Sequence, residues 1–310
     1  MILTVTLNAA IDKRYVVENF QSGGVNRVKE CSYSAGGKGL NVSRAATIAG
    51  EEVTATGFVG GHAGNYIVEV LEGQKIKSDF VHIKGESRSC INIYDETNHI
   101  QTEFLEPGAL VTEADKEDML IKYMKLVEVC SVVVISGSVP RGMDGSLYKD
   151  MIMIAKQYNK KVLLDTSGKL LEEAIEARPT MIKPNIDEIR ALTGKDINCQ
   201  EDIVKAAVTL QKTGIETVVI SCGSEGSYIA CEEGVYRAVV PKLVAVNTVG
   251  CGDSMIAGFA VGFSRGISMV DTIKLASSIS AANALRIETG FFIMKDMQQL
   301  LPQIVVEKII

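Results

Sequence analysis

The sequence predicts an α/β fold, a mostly parallel sheet with helices on both faces, as a single domain over residues 1–310. Strand-like and helix-like segments alternate along most of the chain. Runs such as Val132-Val133-Val134-Ile135 are continuously β-branched, which suits parallel strands buried on both faces. No internal repeat, low-complexity tract or linker divides the chain. In such a sheet the ligand site lies beyond the carboxyl ends of the strands.

Residues 2–7 read as the first strand, and 38–49 as a helix with Val42, Ala45, Ala46 and Ala49 at helical spacing. A strand over 53–58 and a helix over 65–71 follow. Further on, strand 132–136, helix 147–158, strand 161–165, helix 170–177, helix 202–212 and strand 217–221 continue the alternation. The apolar run at 255–263 reads as a late helix. Two stretches break the pattern: 14–34 and 89–104 are extended and lack helical periodicity. Gly23-Gly24 and Asp95-Glu96-Thr97-Asn98 supply their turns.

The net charge of -6 argues against a nucleic-acid partner, which calls for excess Lys and Arg. No basic leader opens the chain and no apolar run approaches the roughly 20 residues of a membrane helix, so a cytoplasmic protein without a membrane partner is expected. The seven cysteines (Cys31, Cys90, Cys130, Cys199, Cys222, Cys231 and Cys251) are dispersed, as in a reducing compartment. His62, His82 and His99 show no zinc-ligand spacing.

The chemistry concentrates in Asn247-Thr248-Val249-Gly250-Cys251-Gly252-Asp253-Ser254, directly before the late helix. A glycine-rich turn opening a helix leaves backbone N–H groups free at the positive end of the dipole, a site for phosphate. Asp253 beside that turn could take a proton from an attacking hydroxyl. Taken alone, an aspartate at a helix start is more often a cap. A second cluster, Ala35-Gly36-Gly37-Lys38-Gly39-Leu40-Asn41-Val42, also opens a helix, and the two look like opposite ends of one site. Neither a Walker A pattern nor the protein-kinase signatures occur.

Gly-Gly-Lys-Gly-x-Asn-Val at 36–42 and Thr-Val-Gly-x-Gly-Asp-Ser at 248–254 resemble the two signatures of the ribokinase/PfkB carbohydrate kinases. Ser136-Gly137-Ser138-Val139-Pro140, Lys183-Pro184-Asn185 with Glu188, and Ser221-Cys222-Gly223 followed by Gly226 extend the likeness over essentially the whole chain. Asn26-Arg27-Val28, the segment 85–91 and Gln101-Thr102-Glu103 are most similar to the hexose-phosphate branch.

The resemblance implies a ribokinase-like sheet with a small β lid formed by 14–34 and 89–104, through which some members dimerise. It implies an ATP- and Mg2+-dependent kinase with a sugar phosphate as its second small-molecule partner. Asp253 would be the base, with Gly250, Cys251 and Gly252 as the anion hole. Asp12, Arg27, Gly37, Lys38, Asn41, Arg88 and Ser138 would bind the sugar phosphate. Lys183, Asn185, Ser221, Gly223, Gly226, Ser227 and Asn283 would serve the nucleotide, and Asn185 with Glu188 would organise the cation through water. Cys251 and Ala9 depart from the usual alanine or serine and the usual proline of the family. Tagatose 6-phosphate is the first acceptor expected and fructose 1-phosphate its rival. A non-catalytic sugar-phosphate sensor is the alternative of another class, and the intact Asp253, Gly250, Gly252 and Lys38 weigh against it.

Overall fold

Residues Ile2–Thr6 form β1, the strand at which the order of the main sheet reverses. The structure is a computed structural model that describes all 310 residues. From β1 the chain enters β2 (Ala10–Val17) and β3 (Glu30–Gly36) of a separate sheet. It returns through α1 (Lys38–Ile48) to β4 (Val53–Gly60), parallel to β1. Helix α2 (Gly61–Gly73) leads to the short edge strands β5 (Lys77–Ser78) and β6 (Val81–Ile83). After β7 (Arg88–Asp95) and β8 (Ile100–Leu105), α3 (Glu113–Val129) carries the chain to the other side of β1.

There β9 (Val132–Ser136), α4 (Gly145–Gln157), β10 (Lys161–Asp165), α5 (Gly168–Ala174) and β11 (Met181–Ile182) extend the parallel sheet. Helices α6 (Ile186–Thr193) and α7 (Gln200–Gln211) precede β12 (Thr217–Ser221), the last parallel strand. The edge is antiparallel: β13 (Ser227–Cys231), β14 (Gly234–Val239) and, after α8 (Cys251–Arg265), α9 (Met269–Ala284) and α10 (Met294–Leu300), β15 (Val305–Lys308). The strand order is β15-β14-β13-β12-β11-β10-β9-β1-β4-β5, with β6 also on β4.

Alternation within the strands splits the core in two. Ile2, Val132 and Val134 face α1, α2, α8, α9 and α10, while Leu3, Val5, Val133 and Ile135 face α3 to α7. Because β4 and β9 flank β1 on opposite sides, the crevice at the carboxyl ends of β1 and β9 is the place such sheets offer a ligand. No helix is long and apolar enough to cross a membrane.

The smaller sheet runs β3-β2-β7-β8, with β2 and β7 parallel. Its strands reach beyond 14–34 and 89–104, to Ala10 and Gly36 and to Arg88 and Leu105, because the ladder continues through Ala10↔Gly36 and Ala10↔Arg88 at its base. Residues 18–29 are the exposed connection between β2 and β3 rather than strand. Asp12, Ser34, Cys90 and Leu105 form one cross-strand row, and Lys13, Tyr33, Ile91 and Phe104 form the adjacent row on the opposite face.

Other boundaries moved for local reasons. Helix α2 starts at Gly61 rather than 65, since the Glu86 carboxylate accepts from Ala63 N–H in its first turn. The helix expected over 170–177 is α5 over Gly168–Ala174 followed by a tighter turn at Ile175–Ala177.

Candidate active site

The two glycine clusters meet across a cleft of about 1410 Å³ between the main sheet and the small one. Helix α1 is entered at Gly37 (φ +107°) and α8 at Gly250 (φ +81°), neither with a side-chain cap. Both N-termini lie on the cleft, so two dipoles converge there. At the α8 turn the Cys251 N–H reaches Thr248 O at 3.3 Å, whereas the N–H groups of Gly250, Gly252 and Asp253 make no bond. Of the expected anion hole, Cys251 thus contributes its small side chain rather than a free donor. Its thiol stays protonated, because burial raises its pKa.

Asp253 sits in the first turn of α8, only 7% exposed. Its Oδ2 accepts from Asn41 Nδ2 at 2.8 Å, joining the two clusters directly. Burial, reinforced by the nearby charge of Asp165, pushes its carboxyl up to about 6. Across the cleft Asp12 is also raised to about 6 by burial, against the pull of Arg44 and Arg88. Gly36 makes room for it: a Cβ there would lie 2.0 Å from Asp12 Cγ.

Cations stand between these carboxylates and the parallel strand ends. Lys38 Nζ lies 3.7 Å from Asp165 Oδ2, and Lys183 Nζ lies 3.6 Å from Asp165 Oδ1. The attraction of Asp165 raises the pKa of Lys38, which stays charged. A Cβ on Gly252 would lie 3.1 Å from Lys183 Nζ, so this ammonium overhangs the free N–H groups of the α8 turn. On the small-sheet side Arg88 donates through Nε to Asn8 O and through Nη1 to Glu106 O, both at 3.0 Å, leaving Nη2 unengaged. Asn8 Nδ2 donates in turn to Ser138 Oγ at 3.2 Å.

Asp12, Gly37, Lys38, Asn41, Arg88, Ser138, Lys183, Asn185, Glu188, Ser221, Gly223, Gly226, Gly250, Cys251, Gly252 and Asp253 all line this cleft. Three of the expected residues do not. Arg27 is exposed on the β2–β3 connection, away from the cleft. Ser227 is buried at the start of β13, enclosed between β12 and β14. Asn283 is fully buried behind the α8 turn instead of lining an adenine pocket. It donates to Val249 O at 3.1 Å and accepts from Ser254 Oγ at 3.0 Å and Phe291 N at 3.1 Å, so it supports the turn from behind.

Asn185 and Glu188 form a capping box at the start of α6, in which Asn185 Oδ1 accepts from Glu188 N and Glu188 Oε2 from Asn185 N, each at 2.8 Å. Glu188 Oε1 remains free beside the cleft, a hard oxygen donor of the kind Mg2+ takes. No three His, Cys, Asp or Glu side chains converge as a protein-only metal site, so a cation here would draw further ligands from a bound phosphate chain.

Sequence reasoning missed Asp165, whose carboxylate is 2% exposed with neither oxygen hydrogen-bonded, and Asn8 and Arg44. Asp165 had a readable signal, a carboxylate closing the strand Lys161-Val162-Leu163-Leu164-Asp165 at its carboxyl end. Arg44 had none, since a lone arginine inside a helical pattern reads as surface charge.

A buried carboxylate with a raised pKa, two lysines and two converging helix N-termini can hold a chain of phosphates and accept a proton from a hydroxyl beside it. Residues 3–296 match the pfkB family carbohydrate kinases, and the chain belongs to that family. It is 38% identical over 307 residues to the tagatose-6-phosphate kinase of Staphylococcus epidermidis, covering 98% of each chain. Among solved structures it is similar to a possible 1-phosphofructokinase of Thermotoga maritima, with a TM-score of 0.91, 30% identity and 100% of both chains covered. It is similar as well to phosphofructokinase-2 of Escherichia coli, with a TM-score of 0.91 and 25% identity over 97% of this chain and 98% of that one.

Proposed function

We propose that the protein transfers the γ-phosphoryl group of ATP to a ketohexose phosphate, with tagatose 6-phosphate as acceptor and tagatose 1,6-bisphosphate as product. The observation that carries this is the position of Asp253: its free Oδ1 is beside the unbonded N–H groups of the α8 turn and across the cleft from Arg88. The acceptor hydroxyl oxygen bonds to the γ-phosphorus as the bond to the β–γ bridging oxygen breaks, ADP leaves, and the proton passes to Asp253. The N–H groups of Gly250, Gly252 and Asp253, with Lys183 above them, stabilise the charge on the transferred group. Ser221, Gly223 and Gly226 line the nucleotide end of the cleft, where Val249, Ala281, Ala284 and Ile287 offer an apolar wall for a base. Mg2+, held by phosphate oxygens and by Asn185 and Glu188 through water, would neutralise charge on the phosphates.

The 38% identity to a tagatose-6-phosphate kinase favours tagatose 6-phosphate. The Thermotoga maritima structure favours fructose 1-phosphate as the second reading. ADP release measured with ATP and Mg2+ against tagatose 6-phosphate, fructose 1-phosphate and fructose 6-phosphate decides between them. Tagatose 6-phosphate should give the highest kcat/KM, and preference for fructose 1-phosphate would reverse the assignment.

Arg88 supplies the cation for the phosphate already on the sugar. Arg88→Ala is expected to raise KM for the phosphosugar by about 10-fold or more, the loss of one charge-assisted hydrogen bond to a dianion, with KM for ATP unchanged. Equal increases in both would place Arg88 outside the acceptor site.

The outward row of the small sheet suits a second copy of this chain. Tyr33 and Phe104 are 50% and 52% exposed on the two outer strands of the row opposite Asp12, with Lys13 and Ile91 between them, large side chains that an isolated sheet leaves in water. Sedimentation should find a homodimer, and Phe104→Glu should shift it to monomer. A monomeric native protein would remove this interface.

A further inference from the structure

Arg44 lines the cleft, and the reaction as described leaves it without a task. It is 6% exposed on α1, one turn after Asn41, on the same helix face. Its guanidinium makes four hydrogen bonds to four different parts of the chain. Nη1 donates to Asn41 Oδ1 at 3.1 Å and to Thr289 O at 2.7 Å, Nη2 to Ala35 O at 2.7 Å, and Nε to Gln74 Oε1 at 3.2 Å. Ala35 belongs to β3 of the small sheet, and Gln74 closes α2.

Thr289 and Gly290 lie against the α8 turn. A Cβ on Gly250 would meet Thr289 Cγ2 at 2.6 Å, and one on Gly290 would meet Asn41 Cβ at 2.7 Å. The charges of Asp12 and Asp253 hold the guanidinium ionised against its burial.

The chemistry of the three groups sets the direction of this network. A guanidinium only donates and an ionised carboxylate only accepts. The Asn41 amide between them therefore has a single satisfactory orientation, with its oxygen toward Arg44 and its NH2 toward Asp253 Oδ2. Oδ2 is thereby occupied, and Oδ1 is the oxygen left for the acceptor hydroxyl. Without the guanidinium the amide could flip and the carboxylate could rotate with it.

We propose that Arg44 is the positioning residue of the reaction: its guanidinium locks the Asn41 amide, and through it the Asp253 carboxylate, in the orientation that presents Oδ1 to the acceptor, while its bond to Thr289 seats the anion-binding turn. The proposal rests on the reading of Asp253 as the base.

A double-mutant cycle on the full chain tests it, with Arg44→Met, Asn41→Ala, the double variant and Asp253→Asn. Kinetics at saturating ATP, Mg2+ and the best phosphosugar are paired with thermal melts. Arg44→Met is expected to lower kcat about 10²-fold, the effect of a misplaced reacting group, with KM for ATP unchanged. Asn41→Ala should lose at least as much, and the double variant no more than Asn41→Ala alone, since Arg44 acts through Asn41.

Losses that multiply in the double variant would overturn the relay, as would a wild-type kcat in Arg44→Met. Should Arg44→Met not fold, Arg44→Lys takes its place in the cycle. It keeps a buried cation but cannot make the forked bonds, and it should remain impaired. A fully active Arg44→Lys would show that charge alone suffices and sink the proposal. An active Asp253→Asn would remove the base itself, an outcome separate from an inactive Asp253→Asn with multiplicative losses, which removes only the role of Arg44.

Discussion

Asp253→Asn is expected to lower kcat by about 10² to 10⁴-fold, the usual contribution of a positioned general base, while KM for ATP changes little. The same substitution should stabilise the protein near neutral pH. The pKa of Asp253 is raised from 3.8 to about 6, chiefly by burial, so the folded state holds the proton more firmly than the unfolded one between those values. Its contribution to stability is therefore fully present below pH 3.8 and lost as pH rises through about 6, and above that the fold carries a buried, destabilising anion.

Asparagine removes that charge at nearly constant shape. A gain of roughly 1 kcal/mol, seen as a rise of about 2 °C in thermal midpoint at pH 7.5, should fade as the pH approaches 4. With Asp253 as the proposed base, the ionised carboxylate is the working form, so kcat/KM should fall as pH drops through about 6. Steady-state kinetics from pH 5 to 8 and paired melts read both signs. A variant that is both active and less stable would mean that Asp253 serves only the α8 dipole and the bond to Asn41.

Gly250→Ala is the second large effect. The residue lies at φ +81°, where a side chain is strained, and its Cβ would come within 2.6 Å of Thr289 Cγ2 and 2.8 Å of the Gly290 backbone nitrogen. Backbone cannot yield as a flexible side chain does, so the turn itself must move, and its N–H groups leave the position proposed for the transferred phosphoryl group. A loss of about 10² to 10³-fold in kcat is expected, comparable to deleting an oxyanion donor, together with roughly 1–3 kcal/mol of stability.

Gly252→Ala is the internal control. Gly252 is not at positive φ, and its Cβ would meet no backbone, only the end of the Lys183 side chain, at 3.1 Å. It should therefore retain far more activity than Gly250→Ala. Equal losses in the two would locate the effect in the helix start generally rather than in the Gly250 turn.

The elements that were legible are those whose pattern is local. β9 and β10 announce themselves as short β-branched or apolar runs, and α1 by apolar residues at helical spacing after a glycine turn. Helix α9 was expected only as a late helix carrying Asn283, without bounds, because α8 and α10 cover it and its length is almost wholly buried, which erases the apolar–polar period. Helix α3 carries a capping box of Thr112 and Asp115 with Met119, Tyr123 and Val127 on its buried side, a signal present but diluted by its charged outer face.

The site divides in the same way. Glycine turns and the aspartate beside them are chemical signatures readable in one dimension. Asn283 was expected in the nucleotide pocket and instead braces the turn, because a helical position says nothing about which side of a neighbouring loop it faces.

By itself the sequence determined the α/β alternation, the two glycine-opened helix starts and the candidate base beside one of them, since each depends on neighbours a few residues away. Only the tertiary structure decided that Asn41 and Asp253, 212 positions apart, share a hydrogen bond, that Asp165 separates two lysines, and that Arg44 ties four segments together. Those pairings follow from the order of strands in the sheet, which brings distant strand ends together at the one place where the winding reverses.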